Sequence, residues 1–167
     1  MKNIYVFDDI QIKYSPKLKA SERIKLENPD VAVNIFRQLF ADNMQLTEAV
    51  AVLLLSKANK LLGTKIISTG GIDSTVIDQR IIFQLALKTN ATGIILGHNH
   101  PSGNINPSEQ DKSITKKVKN GCDILGFNLI DHLIITDEDS FSFANEGLIK
   151  LIKKNEKIKS CFNSYGH

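Results

Sequence analysis

The run of seven apolar residues at Ala49–Leu55, AVAVLLL, constrains this chain more than any other stretch. Glu48 closes it on one side and Ser56 on the other. A membrane-spanning helix needs about 20 such residues, so the run reads as a buried strand. It has a domain to be buried in. The chain has 167 residues, 42% hydrophobic and 23% charged, which is one ordinary domain able to bury roughly 70% of its unfolded surface without staples. Disorder of the whole chain is excluded by the same composition.

Around that strand, helical and extended patterns alternate. Asn28-Pro29-Asp30 is a helix start: Asn caps, Pro suits the first helical position, and Asp favours the positive end. Val31, Ile35, Leu39 and Phe40 then recur at helical spacing. A second strand is expected over about 61–68, a break at Gly70-Gly71, and a helix over 76–89 with Ile77, Ile81, Leu85 and Lys88 on one face and Asn90 as its stop. Residues 93–96 are a short apolar strand, 108–120 a helix stopped by Gly121, 127–136 and 140–143 strands, and the segment from Asn145 a terminal helix. The alternation predicts an α/β domain at 28–150. Residues 1–27 read as a strand-rich extension with a possible hairpin over 3–14, and 151–167 as a polar, lysine-rich tail.

Charge and cysteine content narrow the setting. Net charge is +3, from 21 basic and 18 acidic residues, too mild to argue for nucleic acid. The lysines at 112–119 and 150–159 read first as solvated helix faces and second as phosphate contacts. Cys122 and Cys161 form neither a disulfide framework nor a cysteine-based zinc site. With no apolar leader at the N-terminus, a cytoplasmic protein without a membrane segment is the expectation.

The chemistry concentrates where the 93–96 strand runs into Gly97-His98-Asn99-His100-Pro101-Ser102-Gly103. On an extended backbone, residues i and i+2 face one side, so His98 and His100 aim both imidazoles at one point. Asp111 lies eleven residues beyond His100, and Pro101, Gly103 and Pro107 make a rigid loop able to fold that helix start back. Two imidazoles and a carboxylate make three ligands and leave a fourth position for water, the pattern of catalytic zinc. Zinc lowers the pKa of such water towards about 7. Asp111 reads equally well as the third residue of a capped helix, because Ser108-Glu109-Gln110-Asp111 resembles a capping box with Asp in place of Glu.

The whole pattern, His-x-His, seven residues, Ser, two residues, Asp, resembles the JAMM metalloprotease motif of JAB/MPN domains. Its wording, His98-Asn99-His100-Pro101-Ser102-Gly103, closely resembles the RadC family. Glu48 and the strand after it, Asn59, Gly70, Arg80, Asp131-His132 and Ser142-Phe143 extend the likeness over roughly 30–150. The resemblance implies an α/β fold of the JAB/MPN type, akin to cytidine deaminases, with a mixed sheet flanked by helices. It implies zinc on His98, His100 and Asp111, Glu48 as general base, and Ser108 as hydrogen-bond donor to a tetrahedral oxyanion. Residue spacing alone leaves Glu48 an exposed carboxylate at a strand start. Asp131 and His132 read either as an acid–imidazole pair near the site or as a packed histidine on a buried strand.

These readings converge on a zinc-dependent peptidase or isopeptidase that attacks an amide carbonyl with zinc-bound hydroxide. A peptide or protein is then the partner. The alternative is a RadC-type DNA-repair-associated protein that binds DNA or a partner as a scaffold. The helix-hairpin-helix region frequent in RadC-type proteins does not fit the short, strand-like first 30 residues, and no long insertion suggests ubiquitin recognition. A zinc deaminase would need His-x-Glu and Pro-Cys-x-x-Cys. Residue 100 is His and the two cysteines are far apart.

Overall fold

The computed structural model describes residues 13–70 and 77–151. In chain order they form α1 (Pro29–Leu39), β1 (Ala49–Leu55), β2 (Leu61–Thr69), α2 (Gln79–Thr89), β3 (Gly93–Asn99), α3 (Glu109–Leu125), β4 (Asn128–Ile135), β5 (Ser140–Ser142) and α4 (Leu148–Leu151). The hairpin expected over 3–14 lies outside the described residues except for Lys13 and Tyr14. The tail beyond Leu151 lies outside them too.

The five strands form one mixed sheet in the order β2-β1-β3-β4-β5. β1 is antiparallel to both β2 and β3, β3 and β4 are parallel, and β5 returns antiparallel to β4. A parallel pair needs a long crossover, and α3 supplies it between β3 and β4. All seven residues of β1 and all seven of β3 are buried, because helices cover both faces. Val50, Val52, Leu54, Ile94 and Leu96 pack towards Ile82, Ala86, Val118 and Cys122 on one side. Ala49, Ala51, Leu53, Leu55 and Ile95 pack towards Ala32, Val33, Phe36 and Phe40 on the other. This is the mixed-sheet α/β architecture the sequence predicts.

Two helices centre their buried face beside the predicted stripe, whose Phe40 is fully buried and whose Ile35, Leu39, Ile77 and Leu85 pack partly buried against the two cores. In α1 the Asn28 side chain accepts from Val31 N–H and Pro29 opens the helix, as expected. The buried residues, however, are Ala32, Val33 and Phe36, with Phe36 stacked on Phe40 at 5.7 Å. In α2 they are Ile82 and Ala86, while Ile81 stays 38% exposed. Both helices carry apolar residues over more than one stripe, so the period alone leaves the buried face open. The start and stop of α2 follow local chemistry. Asp78 caps the first turn, and Asn90 ends the helix in the left-handed region at φ 52°.

α3 runs five residues past its expected end, through Gly121 to Leu125. Gly121 is a spacer here. A Cβ on it would stand 2.3 Å from the Phe83 ring, which is itself stacked on Phe127. The stop is Gly126, whose φ of 78° lets its N–H close on the Cys122 carbonyl. Gly121→Ala should therefore destabilise the fold. Helix propensity alone favours Ala by about 1 kcal/mol, whereas overpacking costs about 1–3 kcal/mol. Urea unfolding is expected to show a net loss, and a gain would mean that Phe83 yields to the methyl group.

Candidate metal centre

At its carboxyl end β3 carries His98 and Asn99, with His100 directly after it, and their directions alternate with the pleat. His98 points to the α3 side, with Val50 of β1 as its cross-strand partner. His100 follows on the same side. Asn99 points to the other side and is fully buried.

The His98 and His100 Nε2 atoms lie 2.9 Å apart. Asp111 Oδ1 is 3.1 Å from the first and its Oδ2 3.7 Å from the second. One ligand atom from each residue thus falls within 4.8 Å of the others. Ligands held at 2.0–2.1 Å by a tetrahedral ion stand about 3.3 Å apart, and the observed separations bracket that value. The remaining ring nitrogens are already engaged. His100 Nδ1 is 2.5 Å from the Asn104 carbonyl, to which it can only donate, so its Nε2 is left with a lone pair. His98 Nδ1 is 2.9 Å from His132 Nε2. A neutral imidazole anchored through one nitrogen and open at the other is the usual state of a metal ligand. The residues present therefore fit a divalent transition metal.

Asp111 reaches the cluster because it is the third residue of α3. The capping box is complete. Ser108 Oγ accepts from Asp111 N–H at 3.1 Å, and Asp111 Oδ2 accepts from Ser108 N–H at 2.7 Å and from its hydroxyl at 2.6 Å. The two readings of Asp111, cap and ligand, are compatible because they use different edges of one carboxylate. Burial raises the Asp111 carboxyl, but the His98 hydrogen bond and charge and the Ser108 donors outweigh it, holding the group well below the usual carboxylate range.

Glu48 precedes β1 and lines the same cleft of about 550 Å³ as His98, His100, Ser108 and Asp111. Its carbonyl accepts from Gly70 N–H at 2.8 Å. On its other flank, Ala49 N–H donates to Asn99 Oδ1 at 2.7 Å. Asn99 Nδ2 sits within 3.1 Å of the Asn43, Met44 and Thr47 carbonyls. One buried amide thus clamps the loop that delivers Glu48. Asn99 was not singled out from sequence, although an Asn between two same-face histidines must point the opposite way.

His132 is fully buried behind His98. Asp131 is not its imidazole partner. Its carboxylate accepts from the His132 backbone N–H, the Ser142 hydroxyl and Ala144 N–H, and so ties β4 to the turn after β5. The His132 ring instead meets Thr115, a second residue missed from sequence, through Nδ1 at 2.6 Å. Burial, then the nearby His98, hold His132 well below its ordinary value. Two lysines of the 112–119 cluster are ion-paired along α3, Lys112 with Glu109 and Lys119 with Asp123.

The class defined by this fold and cluster is an α/β domain with a His-His-Asp group that could bind a metal ion at the end of a central strand. Residues 26–148 match the family model of the RadC-like JAB domain, and the chain belongs to that family. It is 50% identical over 97 residues to a protein of Flavobacterium johnsoniae, covering 58% of this chain and 42% of that one. It is 47% identical over 103 residues to one of Porphyromonas gingivalis, covering 61% and 45%. With one of Aquifex aeolicus it shares 33% identity over 139 residues, covering 83% and 59%. All three bear the name UPF0758 protein. The chain spans about half the length of these relatives. Among the described residues no helix is long and apolar enough to cross a membrane.

Two outcomes test this geometry. Asn99→Asp sets a carboxylate oxygen against three backbone carbonyls and should cost more than about 2 kcal/mol. A loss in urea unfolding below about 0.5 kcal/mol, the range of ordinary surface substitutions, would show that the amide does not hold the loop. His132, favoured neutral in the fold, has a folded pKa below its unfolded value of about 6.5. Its contribution is full above that pH and lost as pH falls through it. Unfolding of chelator-treated protein between about pH 5 and 8 should show declining stability on the acid side, and a flat profile would remove His132 as the titrating group.

Proposed function

We propose that the domain is a zinc-dependent hydrolase of amide bonds, a peptidase or isopeptidase. The supporting observation is the convergence of two imidazole Nε2 atoms and one ionised carboxylate oxygen in a cleft that Glu48 also lines. His98, His100 and Asp111 would hold the ion, and two imidazoles with one carboxylate suit zinc in an open, three-ligand site. Zinc bound there supplies Lewis acidity that brings the pKa of water towards about 7.

The chain's own residues do the rest. Glu48 accepts a proton from the attacking water and passes it to the leaving amine. The Ser108 hydroxyl carries one proton, which goes to Asp111 Oδ2 in this structure. Turning that O–H towards the cleft would let it donate to the oxyanion formed from the substrate carbonyl. The two positions differ only by rotation about the C–O bond, so Ser108 can cap α3 and act on substrate at different moments.

Elemental analysis is the first test. The wild type should carry about one zinc per chain, and His100→Ala and Asp111→Ala should lose it while keeping the fold by circular dichroism. Glu48→Gln should keep zinc and lose turnover on a cleaved peptide or isopeptide by roughly 10²- to 10⁴-fold. Ser108→Ala should keep zinc and lose roughly 10²- to 10³-fold, with about 1 kcal/mol of stability lost from the missing cap. A wild type that takes up no zinc on reconstitution would end the metal reading, and full activity in Glu48→Gln would end the general-base role.

A further inference from the structure

Behind the metal ligands runs a polar chain through otherwise apolar surroundings. His98 Nδ1 meets His132 Nε2 at 2.9 Å. His132 Nδ1 meets Thr115 Oγ1 at 2.6 Å. Thr115 Oγ1 is in turn 2.6 Å from the backbone carbonyl of Asp111. His132 is 0% and Thr115 1% exposed. The other face of His132 is stacked on Phe143, with ring centroids 4.7 Å apart. The chain starts at one ligand, His98, and ends on the main chain of another, Asp111. It links β3, β4 and α3.

Counting protons fixes its sense. If His98 Nε2 is to offer a lone pair, its ring proton sits on Nδ1 and is donated to His132 Nε2. His132 must then carry its own proton on Nδ1 and donate it to Thr115 Oγ1. The Thr115 hydroxyl, accepting there, donates to the Asp111 carbonyl, which has no proton and can only accept. The opposite sense is also drawable. The Thr115 hydroxyl would donate to His132 Nδ1, His132 to His98, and His98 would carry its proton on Nε2, where it blocks a metal. The two senses are not equal. The metal-ready one uses the Thr115 hydroxyl twice, as acceptor and as donor. The blocked one uses it once and instead lets His98 Nε2 donate to Asp111 Oδ1 at 3.1 Å, a contact that a cation held by those two atoms replaces.

We propose that Thr115 and His132 are positioning residues that set the tautomer of His98, with the Asp111 carbonyl as the terminal acceptor that favours the metal-ready sense once a cation takes the place of the proton between His98 and Asp111. The inference rests on the reading of His98, His100 and Asp111 as a metal site. Valine fills nearly the space of threonine without the hydroxyl, so Thr115→Val removes the bias and leaves the shape. Partners of metal-bound histidines of this kind are worth about 10- to 100-fold in metal affinity.

The experiment is competition between the full chain and a chelating indicator for Zn²⁺, with Co²⁺ absorption as a second readout, on wild type, Thr115→Val and Thr115→Ser. Thr115→Val should bind about 10- to 100-fold more weakly, and Thr115→Ser, which keeps the hydroxyl, should return close to wild type. Long-range ¹⁵N–¹H spectra of the zinc-loaded wild type should show the His132 proton on Nδ1, a readout that stands even where Thr115→Val fails to fold. Wild-type affinity in Thr115→Val, equal weakening in valine and serine variants, or a His132 proton on Nε2 in the zinc form would overturn the proposal and leave the metal site standing. A wild type that binds neither ion would overturn the metal reading, and the tautomer chain with it.

Discussion

The two-residue period of an extended backbone is the constraint on which the rest of this molecule depends. At the end of β3, three consecutive polar side chains must leave a strand that is buried on both faces. His98 and His100 go to the α3 side, and Asn99 goes to the α1 side. The first direction gathers the ligand atoms. The second puts an amide among the carbonyls of residues 43, 44 and 47, and so sets where Glu48 enters β1. A slip of one residue in the β1–β3 register would exchange the faces and undo both. Val50 opposite His98 holds that register with an apolar core on each side.

Burial then dictates the hydrogen bonding. Among the described residues, no buried side-chain nitrogen or oxygen lacks a partner. His98, Asn99, Thr115, Asp131 and His132 are all buried polar groups in or beside the sheet, and each would cost more unpaired than its bonds return. The rings of His98 and His132 are satisfied by side chains, whereas Asn99, Thr115 and Asp131 reach main-chain atoms: the carbonyls before β1, the first turn of α3 and the turn after β5. The polar network therefore acts where the apolar core has least hold, at chain reversals and helix starts.

Much of this was legible in the sequence. The unbroken run 49–55 specified a buried strand, and the two-residue spacing of His98 and His100 aimed two imidazoles at one point, because both depend on local geometry of an extended segment; Asp111 stayed open between cap and ligand until the family resemblance was added. What stayed hidden depends on contacts distant along the chain. Glu48 comes beside the cluster because β1 and β3 are neighbours, which no local pattern states. The end of α3 was misread because Gly121 looks like a stop until Phe83 is seen to fill the space beside it. Thr115 is four residues after Asp111 and so on its side of α3. Its meaning needed His132 of β4 opposite.

The double use of Asp111 gives the spacing of the motif a physical reason. A helix start exposes backbone N–H groups and the positive end of its dipole. A carboxylate at the third position answers them from one edge, as Asp111 Oδ2 does with Ser108. Its other oxygen, Oδ1, is left directed at His98. Glu in place of Asp would satisfy the cap as well, since it is the commoner capping-box residue, but its extra methylene would carry the second oxygen past the imidazoles. Ser, two residues, Asp is thus the short form of a capping box, and the short form leaves one oxygen for a metal. The carboxylate is held ionised before any ion arrives, first by His98 of the strand beside it and then by the Ser108 donors of its own helix start. The protons that compete with a metal for this site are consequently those of the imidazoles, and their placement depends on the hydrogen bonds at the far side of each ring.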